Sequence, residues 1–287
     1  MTADLAGALR APELGVDRIL ARAAGENFAV APRILPRRYR EPLHALYGFA
    51  RLVDEIGDAA DGDRMALLDA LDADLLRAFR GDARHPLLQR LTPVIATHDL
   101  PHEPFARLIE ANRWDQRLHD VASWQELLAY CALSANPVGE LVLHVFDAAT
   151  PERIALSDRV CSALQVVEHC QDVQEDLARG RVYLPAEDRL DARCGEFHLA
   201  DPSSAALRRV LAVLIGRARE LLCAGPPLVA GLTGFARFAV AGYAAGGLAA
   251  CDALAGAGSD TSAPRARRTR GARFRHGLRL LFTGARG

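Results

Sequence analysis

Two stretches of this chain, 151–178 and 228–254, carry apolar side chains every three or four residues. That period places them on one flank of an α-helix and does not suit a strand, whose faces alternate every second residue. The same pattern recurs between Pro and Gly boundaries, and alternating strand patterns are scarce. Helices are predicted over 15–24, 38–57, 63–80, 85–97, 102–117, 124–148, 151–178, 203–223 and 228–254. The two founding segments are apolar around much of their surface and should lie at the centre of one all-α domain. Half of all residues are hydrophobic, enough for a sizeable core.

Local chemistry punctuates these segments. Asp63, Ser123 and Ser203 suit N-caps, and Pro151 suits a first helical turn. Gly180 suits a C-terminal cap. Residues 181–202 read as a long irregular connection, and 255–264 (AGAGSDTSAP) as a linker. The six cysteines form no Cys-x-x-Cys pair and read as reduced core thiols of a cytoplasmic protein. The N-terminus lacks a basic-then-apolar signal pattern. No uncharged apolar run reaches the roughly 18 residues of a membrane span. Phe238 to Cys251 comes nearest and reads as a buried helix.

Charge is uneven. Every basic residue is Arg, and the whole chain carries a net −1. Residues 256–287 hold eight Arg against one Asp, a net +7, which leaves −8 for residues 1–255. An acidic body argues against nucleic-acid binding, while the basic tail fits an anionic surface.

The chemistry concentrates in two acidic turns. In LYGFARLVDEIGD, residues 46–58, Tyr47, Arg51, Asp54 or Glu55, and Asp58 follow one helical stripe amid apolar neighbours. In LQVVEHCQDVQEDLARG, Glu168, Asp172 and Asp176 do the same. Like charges one turn apart repel, and more so in a half-buried setting, unless a cation neutralises them. Two such stripes facing across a cavity would offer oxygen donors suited to Mg²⁺, with Arg51, Arg179 and Arg181 as forks for phosphate. The pattern alone leaves a solvated surface and a metal clamp both open. A di-iron bundle would want Glu-x-x-His, which EHCQD does not supply.

At these residues the chain resembles the squalene/phytoene synthase family over roughly residues 20–255. YGFARLVDEIGD resembles the first aspartate-rich motif, with Glu55 where the family has Asp. QDVQEDLARGRVYLP, residues 171–185, resembles the second closely, and YCALSANPVGELVL, residues 130–143, resembles a connecting helix with a break inside the pocket. The stretch from Glu26-Asn27-Phe28 through Leu35-Pro36 to Asp58 is most similar to bacterial hopanoid-pathway hydroxysqualene synthases.

The resemblance implies an all-α, single-domain isoprenoid-synthase bundle around a central cavity, with 256–287 as an appended tail. It implies Mg²⁺, with Mn²⁺ as a substitute, and no NADPH. Metal binding falls to Asp54, Asp58, Asp172 and Asp176. Glu168, where many members carry Asn, extends that acidic set. Arg51 and Arg181 would act on the diphosphate. Tyr47, Asn136, Gln165, Gln171, Tyr183 and Tyr243 would line the substrate side. His169, beside Glu168, reads as a packing or rim residue.

The implied activity converts presqualene diphosphate to hydroxysqualene. The alternatives are condensation of two farnesyl or geranylgeranyl diphosphates to presqualene diphosphate, squalene or phytoene, and a non-catalytic helical assembly factor. A prenyl diphosphate is the expected partner, together with pathway enzymes. The basic tail would act as a short interfacial helix at the inner face of the plasma membrane or remain disordered.

Overall fold

The computed structural model describes residues 14–21, 35–118, 120–256 and 269–283. Glu26, Asn27 and Phe28, the end of the predicted helix 15–24 and most of the expected linker lie outside them. Among the described residues the regular structure is helical, with one isolated parallel bridge between Asp120 and Val182. Chain contacts divide the protein into two compact units, 1–117 with 137–149, and 118–136 with 150–287.

In the first unit, helix α1 (Val16–Ala21) packs on α2 (Arg37–Asp58). Helix α2 also meets α3 (Arg64–Arg80), α4 (Pro86–His98) and α5 (His102–Asp115). Phe49, Leu52, Val53 and Ile56 are fully buried, so the apolar flank of α2 is the core of this unit. Phe49 meets Phe105 of α5 edge-on at 5.1 Å. Asp63 caps α3 as expected, its carboxylate accepting from Ala66 N–H at 3.0 Å.

In the second unit, α8 (Pro151–Gln171) packs with α6 (Trp124–Ser134), α12 (Ala205–Leu222), α13 (Gly225–Ala230) and α14 (Gly234–Gly256). Ser123 caps α6, and Thr150 caps α8 ahead of Pro151. Ser204, one residue later than expected, caps α12. Ser203 is instead held to Asp201 through both its amide and its hydroxyl. Helix α14 is long and apolar enough to cross a membrane by length and composition. Half of its most apolar stretch is buried, and it packs on α8, α12 and α13. A Cβ at Gly247 would lie 2.5 Å from Leu164 and 3.3 Å from Leu222, so close helix packing is what that glycine serves.

Several predicted segments divide. The pattern over 124–148 breaks at Ala135 into α6 and α7 (Asn136–Val145). Pro137 lacks the N–H that would continue the ladder, and its ring opposes the preceding turn. The segment 228–254 likewise splits into α13 and α14. The connection 181–202 contains two short helices, α10 (Ala186–Asp191) and α11 (Glu196–Ala200). In the tail, Thr269–Thr283 forms helix α15, which packs on α13 and α14.

Candidate active site

The first acidic turn closes α2. Asp54 is half-exposed, and Arg51 Nη1 lies 3.9 Å from its Oδ2. Asn112 of α5 reaches its other oxygen at 3.5 Å, a marginal hydrogen bond, and also donates to Leu108 O at 3.3 Å. Asp58 is the last residue of the helix, and Tyr47 is half-buried further up it. Glu55 departs from the family's Asp and does not share the Asp54 face. It is 2% exposed, 3.8 Å from Arg51 Nη2 and 3.9 Å from Arg18. Glu55 therefore holds the guanidinium of Arg51 from below. Arg51 Nε is buried with no hydrogen-bond partner among the described residues. A buried donor without an acceptor costs free energy, which an oxyanion ligand would relieve.

Gly57 makes this packing possible. A Cβ there would stand 2.0 Å from Asn112 Oδ1 and 2.9 Å from its Cγ. Its carbonyl accepts from Gln116 Nε2 at 3.0 Å and Arg64 Nη1 at 3.2 Å, which satisfies one end carbonyl of the helix. The polar segment after Asn112 is mostly structural. Arg113 pairs with Asp69 and Asp72 of α3, and Arg117 pairs with Glu110. Burial opposes the charge on Arg113, but those two carboxylates outweigh it and raise its pKa.

The second acidic turn is not one helix. Helix α8 stops at Gln171, Asp172 takes φ −106° and ψ 14°, and α9 (Val173–Ala178) follows. Backbone bonds still link Asp172 N–H to Glu168 O at 2.9 Å and Asp176 N–H to Asp172 O at 2.8 Å. The break is thus a kink at the aspartate itself, within a continuing ladder. Glu168 is exposed, Asp172 half-buried, and Asp176 only 14% exposed.

Asp176 is held by a residue the sequence reading set aside. His169 Nδ1 lies 3.4 Å from Asp176 Oδ2, and its Nε2 lies 3.2 Å from Gln165 Nε2. The amide of Gln165 can only donate through that nitrogen. Nε2 therefore accepts and Nδ1–H points at Asp176, the tautomer this geometry selects. His169 is buried and stacks on Tyr183, with ring centroids 3.9 Å apart and planes inclined at 19°. Tyr130 packs against Tyr183 at 5.0 Å. The spacing 165, 169, 176 was a readable signal, since all three positions share a helical flank.

The chain then turns back. Gly180 takes φ +75° just beyond the α9 cap, a conformation that costs glycine little. Arg181 N–H returns to Asp176 O at 3.0 Å. Arg181 is buried and lines a recess with Asp176, His169, Tyr183, Leu177 and Leu199. Val121 N–H to Val182 O at 3.1 Å and Ala186 N–H to Val121 O at 2.8 Å strap this exit to the strand-like residues before α6. Arg179, by contrast, is exposed and pairs with Glu175 at 2.9 Å. It belongs to the surface and not to the proposed phosphate grip.

The other sequence candidates fall in this second unit. Asn136 is buried, and its carbonyl oxygen accepts from Ser162 Oγ of α8 at 2.9 Å. Gln171 is half-buried at the end of α8. Tyr243 lies on α14, where burial, and next the nearby Cys161, push its hydroxyl up to about 12. It stays protonated and can donate a hydrogen bond at neutral pH.

Among the described residues no three His, Cys, Asp or Glu side chains are grouped as a metal site. Mg²⁺ does not require one, because it takes one or two carboxylates and completes its shell with water and substrate phosphate. Each turn offers carboxylate oxygens together with a guanidinium, which fits that ion.

The all-α fold and the two aspartate-rich turns agree with the isoprenoid-synthase bundle that the sequence resemblance implies. The squalene/phytoene synthase family matches residues 21–273, and the chain belongs to that family. It is similar to a hydroxysqualene synthase of Rhodopseudomonas palustris, 36% identical over 211 residues, 71% of this chain and 70% of that one. It is also similar to a presqualene diphosphate synthase of the same organism, 34% identical over 171 residues, 58% of this chain and 60% of that one. Among solved structures, squalene synthase HpnC from Alicyclobacillus acidocaldarius is 40% identical with a TM-score of 0.78, covering 90% of this chain and 99% of that one.

Proposed function

We propose that this enzyme is a Mg²⁺-dependent hydroxysqualene synthase acting on presqualene diphosphate. The observation that carries the reading is the repeated chemistry of the two units. In each, an aspartate pair accompanies an arginine, half-buried Arg51 in one and buried Arg181 in the other. Such sets suit a polyanionic leaving group.

Asp54, Asp58, Asp172 and Asp176 are assigned to hold Mg²⁺, with Glu168 as an exposed further carboxylate. The ion, when bound, would neutralise charge on the diphosphate. Arg51 and Arg181 donate to the diphosphate oxygens as the C–O bond breaks and the leaving group takes the electron pair. His169 keeps one Asp176 oxygen aimed and leaves the other available. Tyr183, stacked on His169, lines the recess beside Arg181. After rearrangement, one water adds to the cation and loses a proton, giving an alcohol. No hydride is consumed, so no NADPH enters the balance.

The similarity to a presqualene diphosphate synthase supports a second reading, condensation of two farnesyl diphosphates. Incubation of the protein and Mg²⁺ with presqualene diphosphate, with and without NADPH, separates the two. Hydroxysqualene by mass spectrometry in both reactions is the expected result. Untouched presqualene diphosphate alongside consumption of farnesyl diphosphate would replace the first reading with the second. Squalene formed only with NADPH would make the enzyme a reductive synthase.

A further inference from the structure

Helix α15 has two apolar faces, and among the described residues only one is packed. Ala272 and Leu280 are buried, and Leu280 approaches Gly225 of α13. His276 Nε2 bonds Asp252 Oδ2 at 2.7 Å, and Arg237 Nη2 donates to Leu281 O at 2.6 Å. These contacts fix the helix on α14 and so fix the direction of its other face. On that face Phe274, Leu278 and Phe282 follow one another at successive turns, 69%, 39% and 70% exposed. Arg275 and Arg279, each one residue further on, are exposed beside the stripe.

A surface Phe is ordinary, but two in line on a docked helix, with arginines along the edge, are not. A protein partner would have to bring both an apolar pocket and matching acids to this face. A bilayer interface accepts both, since rings enter the acyl boundary while guanidinium groups remain among headgroups. The net charge of +7 over residues 256–287, on a chain of net −1, selects the sign of that surface.

We propose that the outward face of α15 is a membrane-docking surface for anionic lipid, with Phe274, Leu278 and Phe282 entering the interface and Arg275 and Arg279 engaging headgroups. The body of the enzyme is held through the packing of α15 on α13 and α14. The helix therefore acts as a rigid foot and not as a loose tail.

Removing the tail would uncover α13 and α14, so the test keeps the full chain. Wild type and Phe274→Ser/Phe282→Ser are sedimented with vesicles of phosphatidylglycerol and of phosphatidylcholine. Circular dichroism melts confirm that both remain folded. Wild type is expected to bind the anionic vesicles and to leave the zwitterionic ones. The double variant is expected to bind at least ~10-fold more weakly, because the exposed rings carry the apolar part of the partition. Equal binding of the two proteins, or binding to neither lipid, overturns the proposal. A wild-type dimer in solution that the variant loses, without vesicle binding, assigns the face to a second copy and overturns it also. None of these readouts depends on turnover, so the result stands apart from the identity of the substrate.

Discussion

Replacing Gly57 by alanine tests how the first acidic turn is built. On an exposed helix the change would stabilise by about 1 kcal/mol, because alanine has the better helix propensity. Here the new Cβ would sit 2.0 Å from Asn112 Oδ1. Rotating the amide relieves that contact but not the 3.3 Å approach to Asn112 Cβ. Rotation also abandons the donation to Leu108 O and the contact with Asp54. Overpacking of this kind costs about 1–3 kcal/mol, and a lost buried hydrogen bond about 1 kcal/mol more. After the propensity gain, the net loss is about 1–3 kcal/mol. For a chain of this size that lowers the thermal midpoint by roughly 2–5 °C.

Calorimetry of wild type, Gly57→Ala, Asn112→Ala and the double variant reads the coupling directly. The double variant should be more stable than the sum of the single effects by about 1–2 kcal/mol, since Asn112→Ala removes the obstacle. A Gly57→Ala protein as stable as wild type, with no coupling to Asn112, would refute the packing argument. Displacement of Asn112 also removes one contact of Asp54, so with the proposed metal role Gly57→Ala should raise the Mg²⁺ concentration needed for half-maximal turnover.

Three further outcomes are expected. His169→Ala should lower turnover by about 10–100-fold and weaken Mg²⁺ dependence, whereas His169→Asn, which keeps a donor, recovers part of it; a Mg²⁺ titration of rate and of melting temperature checks both. For Asp252, burial opposes ionisation, but the hydrogen bonds from His276 and Arg219 prevail and hold its carboxyl below the ordinary value of 3.8. Its contribution to stability is present above that pH and is lost as pH falls through the depressed value, so Asp252→Asn should loosen α15 at neutral pH and differ little from wild type in strong acid, as read by hydrogen exchange of residues 271–282. Burial pushes the Cys131 thiol up to about 12 and Cys251 to about 11, and raises Cys170 further, so iodoacetamide at mild alkaline pH should modify exposed Cys223 and spare these three until the protein is unfolded.

Much of the candidate site could be read along the chain because its determinants are local. Asp54 and Asp58, or Asp172 and Asp176, recur one turn apart wherever a helix runs through them. The sequence therefore exposes each pair without reference to the rest of the fold. The caps at Asp63 and Ser123 are local in the same sense, being bonds to an amide three residues on. His169 shares a helical flank with Gln165 and Asp176, so its spacing also points toward the second turn.

What escaped depends on packing between segments distant in sequence. Asn112 finds Asp54 across 58 positions, and no pattern in either segment announces the contact. Periodicity runs smoothly through Asp172 and through Ala135, because it records which residues are apolar and not where the axis bends. The sequence alone determined the helical class, the two carboxylate pairs and the basic charge of the last residues. Only the tertiary structure decided that Glu55 is turned inward on Arg51, that Asn112 reaches Asp54, and that α15 is docked with its phenylalanines outward. The division has a physical cause: residue spacing fixes a side chain's direction about its own helix, whereas its burial and its partners depend on which surface another helix brings against it.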